Sequence, residues 1–281
     1  MVTNPVIRLF KAIIVVVFGL ALYSSAGAFD YSEFLIKAVA GGKVEVLNPD
    51  SPAQHAVAVS VVGSVGSSLC SGALVSKDMV VTAAHCFETL EPSSEVFIGF
   101  FNGEEQVAVA EARQVAVHKD FKMGAEKFRS FADLDVEGSD VAILRFDDDL
   151  PAGFKPVRVL KDLSKVFVGQ KVVAMGIGRT EVKDSNFAMR SVDLEIGFHN
   201  PNYVNVSMVY DPTKKKAVCV GDSGGPVFVK LGSEYFLWGL NQSVFKSGCQ
   251  PPYESFAVNL AHIWNELPQK LKTIEEYQPS R

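Results

Sequence analysis

The sequence has no excess of positive charge: 27 Lys and Arg stand against 32 Asp and Glu, a formal net charge of −5. That removes the electrostatic footprint of a general nucleic-acid binder. There is only one long apolar run, Ala12 to Tyr23, and it is shorter than the ~20 residues that a membrane-spanning helix needs. Cysteine is scarce, four residues in 281, and no Cys-x-x-Cys spacing occurs, so zinc ligation lacks its usual frame. Histidine is nearly as scarce, and His55, His118, His199 and His262 stand in no metal motif. No metal and no cofactor are expected. The acidic stretch Asp133 to Asp140 lacks the spacing of a calcium loop and reads as solvated. What is present is 48% hydrophobic and 21% charged residues, enough to bury a core in one large domain or two compact ones.

The first 28 residues read separately from the rest. Arg8 and Lys11 precede the apolar run, and small residues ending in Ala26-Gly27-Ala28 follow it, which is the three-part pattern of a secretory signal peptide. An uncleaved anchor is the rival reading. Removal of residues 1–28 leaves an acidic chain of formal charge about −7, expected to be secreted or periplasmic with no stable membrane span. Cys70, Cys86, Cys219 and Cys249 all lie in the exported part, where an even number suggests two disulfides. Three pairings are open, and composition does not choose among them.

After the leader come many short runs of Val, Ile, Phe and Ala separated by Gly, Pro, Asn and Asp. Ala56 to Val62, Val96 to Phe101, Val141 to Phe146 and Val227 to Lys230 are examples. Strands at this density predict an all-β sandwich or barrel. Only the end reads as helix, with Leu260, Ile263, Trp264 and Leu267 at i, i+3, i+4 and i+7, and Pro268 is expected to end or kink it. Asp147 to Gly153 combines charge, proline and glycine and is the expected connection between two domains, 39–150 and 151–281. Lys214-Lys215-Lys216 reads as a solvated loop.

A serine hydroxyl is a poor nucleophile unless a base takes its proton and a third group holds that base in the right tautomer. Ser223 lies in Gly221-Asp222-Ser223-Gly224-Gly225-Pro226, whose glycines permit a tight turn with backbone N–H groups aimed at one spot. Gly221-x-Ser223-x-Gly225 also fits the nucleophile elbow of lipases and esterases. That fold requires a helix after the serine, and Pro226 followed by Val227-Phe228-Val229 reads as strand.

Two motifs lie upstream, Thr82-Ala83-Ala84-His85-Cys86 and Ser139-Asp140-Val141-Ala142-Ile143-Leu144. With the Ser223 hexapeptide they make the chain resemble the chymotrypsin-like, or trypsin-like, serine proteases, which use the order His, Asp, Ser. Gly176-Ile177-Gly178-Arg179-Thr180 is similar to that family's Gly-Trp-Gly-x-Thr, and Val39-Ala40-Gly41-Gly42 to its Ile-Val-Gly-Gly mature start. The resemblance covers roughly residues 38 to 267.

The resemblance implies two antiparallel six-stranded β-barrels and a C-terminal α-helix. It implies catalysis by His85, Asp140 and Ser223, an oxyanion hole from the N–H groups of Gly221 and Ser223, and disulfides Cys70–Cys86 and Cys219–Cys249. Asp222 would be paired by an α-ammonium released when a propeptide, residues 29–38, is cut. The new terminus is Val39 by the spacing of the Gly-Gly pair, or Ala38 if cleavage follows Lys37. In the S1 pocket Ala217 stands where trypsin-like members place an Asp, and Val244 where a glycine is usual, which points to small or apolar P1 residues. Glu254, if it faces the pocket, would restore a basic preference, and Gln242 replaces the serine that usually supports the catalytic Asp. The implied partners are protein or peptide substrates and an activating protease. A catalytically silent binding module on the same fold is the alternative from a different class.

Overall fold

The computed structural model describes residues 41–64, 66–121, 139–178, 187–198, 206–244 and 255–274. Where β-branched and aromatic residues run between turn formers, the chain is extended. The first half carries β1 (Lys43–Val44), β2 (Ala56–Val62), β3 (Ser67–Ser76), β4 (Met79–Thr82), β5 (Glu95–Asn102), β6 (Glu105–Glu111), β7 (Gln114–His118) and β8 (Ala142–Arg145). The second half carries β9 (Arg158–Val159), β10 (Lys171–Gly176), β11 (Arg190–Phe198), β12 (Val206–Tyr210), β13 (Pro226–Leu231), β14 (Glu234–Val244), β15 (Ser255–Asn259) and β16 (Leu271–Thr273).

Two sheets result. One runs β16-β7-β8-β4-β3-β2-β5-β6. In the other, β11-β10-β13-β14-β15-β12 closes on itself through a β11–β12 pairing into a six-stranded barrel, with β1 added beside β11 and β9 parallel to β14. The all-β class and the antiparallel pairing follow the strand pattern. Closure is seen in the second sheet; in the first, no ladder joins the end strands among the described residues.

The exchange of end strands is not visible in the periodicity. β1, early in the chain, pairs with β11 of the second-half sheet, Val44 opposite Arg190. β16, near the end, returns to the first-half sheet, Leu271 opposite His118. Each sheet is therefore completed by a strand from the other end of the chain.

Residue size sorts the two faces of β2. Val57, Val59 and Val61 point into a core shared with Phe87, Phe100 and Phe146, where the Phe100 ring makes edge contacts with Phe146 and Phe154. The alternating Ala56 and Ala58 are small and lie in a second cluster with Met175, Ile177, Phe228 and Leu240 of the other sheet. Small side chains on that face let the two sheets approach closely. A third cluster fills the closed barrel around the fully buried Trp238.

The C-terminal helical pattern resolves into two short helices, α1 (Leu260–Ile263) and α2 (Leu267–Lys270). The Asn259 side chain caps α1 by accepting from the Ala261 N–H at 3.1 Å. Pro268 sits in the first turn of α2, where no N–H is needed, so it starts the second helix and the break falls before it. Leu260, Ile263 and Leu267 are buried, as their spacing predicts.

His55 ends a short 3-10 turn, Pro52–His55, and is itself buried. Its Nδ1–H donates to the Lys155 carbonyl at 2.8 Å, and its ring meets the edge of Phe228. Burial pushes the imidazole pKa down from its usual 6.5, against the opposing pull of the Lys155 carbonyl, and burial does the same at His118. The unfolded chain then binds these protons at a higher pH than the folded one. Their contribution to stability is complete above pH 6.5 and is lost as pH falls through the depressed folded values. Thermal unfolding midpoints should therefore fall as pH is lowered below 6.5, and His55→Gln should flatten that slope. An unchanged slope in His55→Gln would exclude this residue as a source.

Candidate active site

Strand register brings His85 and Asp140 together. β4 and β8 are antiparallel neighbours with Thr82 opposite Ala142, so the residues just after β4 and just before β8 lie at one end of the sheet. The 3-10 turn Ala84–Phe87 carries His85 there, and Cys86 in the same turn is disulfide-bonded to Cys70 of β3. A bridge across 16 residues contributes about 3 kcal/mol on the loop-entropy account and fixes the turn to its neighbour.

Asp140 is buried and accepts twice from His85: from the backbone N–H at 2.8 Å and from the ring Nδ1–H at 2.7 Å. A carboxylate can only accept, so Nδ1 carries a proton, and in the neutral ring the lone pair is then on Nε2. The His85 side chain is 32% exposed, which leaves the ring reachable from solvent. A nitrogen of His85 and the sulfurs of Cys70 and Cys86 lie within 4.8 Å of one another. The sulfurs are joined in a disulfide and Nδ1 is committed to Asp140, so this group has no thiolate to offer a metal.

The Ser223 turn docks on the same end of the first-half sheet. Gly221 and Gly224 have φ of 96° and 75°, the left-handed region that glycine enters without strain. A Cβ on Gly224 would lie 2.1 Å from Thr82 Oγ1 and 2.6 Å from both the Ala83 nitrogen and the Ser71 carbonyl oxygen. Only glycine allows that approach, and it sets the turn against the residues that lead into His85.

Two buried side chains clamp the turn. Ser71 on β3 donates its backbone N–H to the Ser223 carbonyl at 2.8 Å and its hydroxyl to the Gly221 carbonyl at 2.9 Å, while Ser71 Oγ accepts from the Ile177 N–H at 3.0 Å. Asn241 on β14 donates its Nδ2 to the carbonyls of Met175 and Asp222 and accepts the Gly224 N–H at its own carbonyl. Within the turn, Asp222 N–H goes to Cys219 and Gly225 N–H to Asp222. Among the described residues the N–H groups of Gly221 and Ser223 donate to no protein carbonyl or side chain. Two adjacent donors left open in a rigid turn can receive an anionic oxygen.

Asp222 is wholly buried and accepts from the N–H groups of Gly178 (3.0 Å) and Cys219 (2.8 Å). Cys219 is disulfide-bonded, and Cys249 lies outside the described residues, as do Val39 and Glu254. Ala217 is fully buried, and Val244 is the last residue of β14, opposite Ser255. Gln242 is buried in β14, and Lys214 and Lys215 are exposed. Among the described residues no helix is long and apolar enough to cross a membrane.

The clamps were not found from the sequence. Ser71 gave no motif of its own beyond its place after Cys70. Asn241 was visible only as part of the pocket strand.

The Trypsin family model matches residues 46–265. The chain is 24% identical over 224 residues to Hypodermin-A of Hypoderma lineatum, covering 74% of this chain and 80% of that protein. It is 29% identical over 175 residues to Duodenase-1 of Bos taurus, 57% of this chain and 64% of that one. It is 28% identical over 181 residues to Glucanase inhibitor protein 3 of Phytophthora infestans, 59% of this chain and 64% of that one.

Removing the Ser71 hydroxyl strands a buried carbonyl and a buried N–H. Ser71→Ala should lower the unfolding free energy in urea by about 2–4 kcal/mol, and Gly224→Ala by at least about 3 kcal/mol because its Cβ meets backbone. Either variant within about 0.5 kcal/mol of the parent would contradict the clamp.

Proposed function

The chain belongs to the trypsin family, and on that premise we propose that it is an exported serine endopeptidase acting through Ser223, His85 and Asp140. The observation that supports this most directly is the His85–Asp140 geometry, with Nδ1–H held 2.7 Å from the carboxylate. Ser223 Oγ attacks the scissile carbonyl while His85 Nε2 takes its proton. The proton then passes to the leaving amine, and water attacks the acyl-enzyme with His85 again as base. Asp140 orients the imidazole and balances its charge. The N–H groups of Gly221 and Ser223 hold the oxyanion, an interaction in which one donor is worth about 10²–10³ in turnover.

In this reading residues 1–28 direct export, 29–38 form a propeptide removed by another protease, and the two halves of the mature chain, 39–150 and 151–281, form the cleft for protein or peptide substrates. The new ammonium of Val39, or of Ala38, pairs with Asp222. Ala217 in place of an acid and Val244 in place of a glycine favour small or apolar P1 residues. The second reading is a silent binding module, and its support is the similarity to a protein named as a glucanase inhibitor.

A fluorophosphonate probe separates the two. Mass analysis should find one label per chain on Ser223, absent in Ser223→Ala with its thermal midpoint retained. Asp140→Asn should lower kcat by about 10⁴, a size that belongs to the family's best-known member. No label on a folded chain trimmed to Val39 or Ala38 would put the binding module in its place.

A further inference from the structure

Glu45 is a buried carboxylate that the mechanism above does not use. Taking a carboxylate out of water is costly unless its oxygens are paired and hydrogen-bonded, and here both are. Oε1 accepts from the Ser191 hydroxyl at 2.6 Å and faces Lys43 Nζ at 2.8 Å, while Oε2 accepts from the Ser51 hydroxyl at 3.2 Å. The Lys43 side chain is 75% exposed, so its ammonium covers the carboxylate from the solvent side.

The backbone of the same residue joins both sheets. Its N–H donates at 2.9 Å to the carbonyl of Met189, the residue before β11. Its carbonyl accepts at 3.0 Å from the N–H of Gly103, in the turn between β5 and β6, and Met189 N–H donates to the Gly103 carbonyl at 3.0 Å. Two residues further on, Leu47 N–H donates to Asn102 Oδ1 at 2.8 Å. Glu45 is the point where the first described strand, the edge of one sheet and a hairpin of the other meet.

β1 by itself is a short anchor, with Lys43 opposite Ser191 and Val44 opposite Arg190, and chain ends fray unless they are tied down. Just upstream, the chain runs beside the loop that leads to the Ser223 turn. Gly41, at φ 69°, lies against that loop: a Cβ there would be 3.0 Å from the Lys215 carbonyl oxygen and 3.1 Å from Lys216 Cγ. Cys219, three residues after Lys216, donates its N–H to Asp222. Val39 is six residues before Glu45, at most about 20 Å of extended chain.

We propose that Glu45 is a positioning residue for activation: its side chain pins β1 across the two sheets, so that the amino terminus released upstream is held in place instead of fraying into solvent. The proposal rests on the serine-protease reading above and on the new ammonium that it assigns to residue 38 or 39. Glu45 touches no reacting atom, and its effect on Ser223 passes through the terminus alone. Loss of the anchor lowers the population of the docked terminus and, with it, the reactive fraction of Ser223.

The test uses the exported chain trimmed to begin at Ala38 or Val39, as the parent and as Glu45→Ala, Glu45→Gln and Ser191→Ala. Three quantities are read: the fluorophosphonate labelling rate of Ser223, the rate at which cyanate carbamoylates the new α-amine, and the thermal midpoint. In the parent the α-amine should react at least about tenfold more slowly than in the guanidinium-unfolded chain. Glu45→Ala should speed carbamoylation and slow labelling, each by at least about fivefold, and Glu45→Gln, which keeps the shape and an acceptor for Ser191, should restore most of both. Should Glu45→Ala lack a cooperative thermal transition, Ser191→Ala, which removes the shortest of the three side-chain contacts, carries the same comparison. The proposal is overturned, with the protease reading intact, if either rate in the folded variant matches the parent's. It is overturned too if the parent α-amine reacts as fast as in the unfolded chain. Failure of the trimmed parent to label overturns the protease reading itself.

Discussion

Four hydrogen bonds meet at Ser71, and the rest of the site depends on them. Its backbone N–H and hydroxyl hold the carbonyls of Ser223 and Gly221, its oxygen receives Ile177, and its carbonyl accepts from Thr82 Oγ1 at 2.7 Å. Ser71 is fully buried, so no water stands ready to replace a lost partner. It belongs to the sheet that carries His85, and three of its four partners belong to the other half or to the turn itself. A reaction that needs nucleophile and base within hydrogen-bond reach is thereby referred to a single rigid point.

Around that point the chain repeats one device, a buried carboxylate satisfied by N–H groups of a neighbouring loop. Asp140 takes the backbone and ring donors of His85; Asp222 takes two backbone donors from Gly178 and Cys219. The first orders His85 and the second orders the turn that carries Ser223. The Cys70–Cys86 bridge, the β1 strand lent to one sheet and the β16 strand lent to the other keep these loops from moving independently.

Much of this was legible in the chain. The His85, Asp140 and Ser223 motifs are local, and each carries its own residue pattern; the short β-branched runs announced an all-β fold, and the resemblance implied the Cys70–Cys86 bridge that the structure contains. Ser71 and Asn241 were not legible as clamps because their importance lies in partners 106 and 150 or 19 and 66 residues away, and a single polar residue in a strand has no periodicity. The exchange of β1 and β16 was hidden for the same reason: pairing partners of two- and three-residue strands are chosen by tertiary packing. In the C-terminal segment the apolar spacing predicted the burial of Leu260, Ile263 and Leu267, while Trp264 is half-buried and the break falls at the turn 264–266, ahead of the proline expected to mark it.

The central claim is that the clamped turn presents Ser223 as a nucleophile to a base already in its working tautomer. Pre-steady-state hydrolysis of a nitrophenyl ester by the trimmed chain reads that directly, because an acyl-enzyme that forms faster than it breaks down releases a burst of nitrophenol. The account predicts a burst of about one equivalent per chain, lost in Ser223→Ala. Linear release with no burst, identical in the parent and in Ser223→Ala, would contradict it.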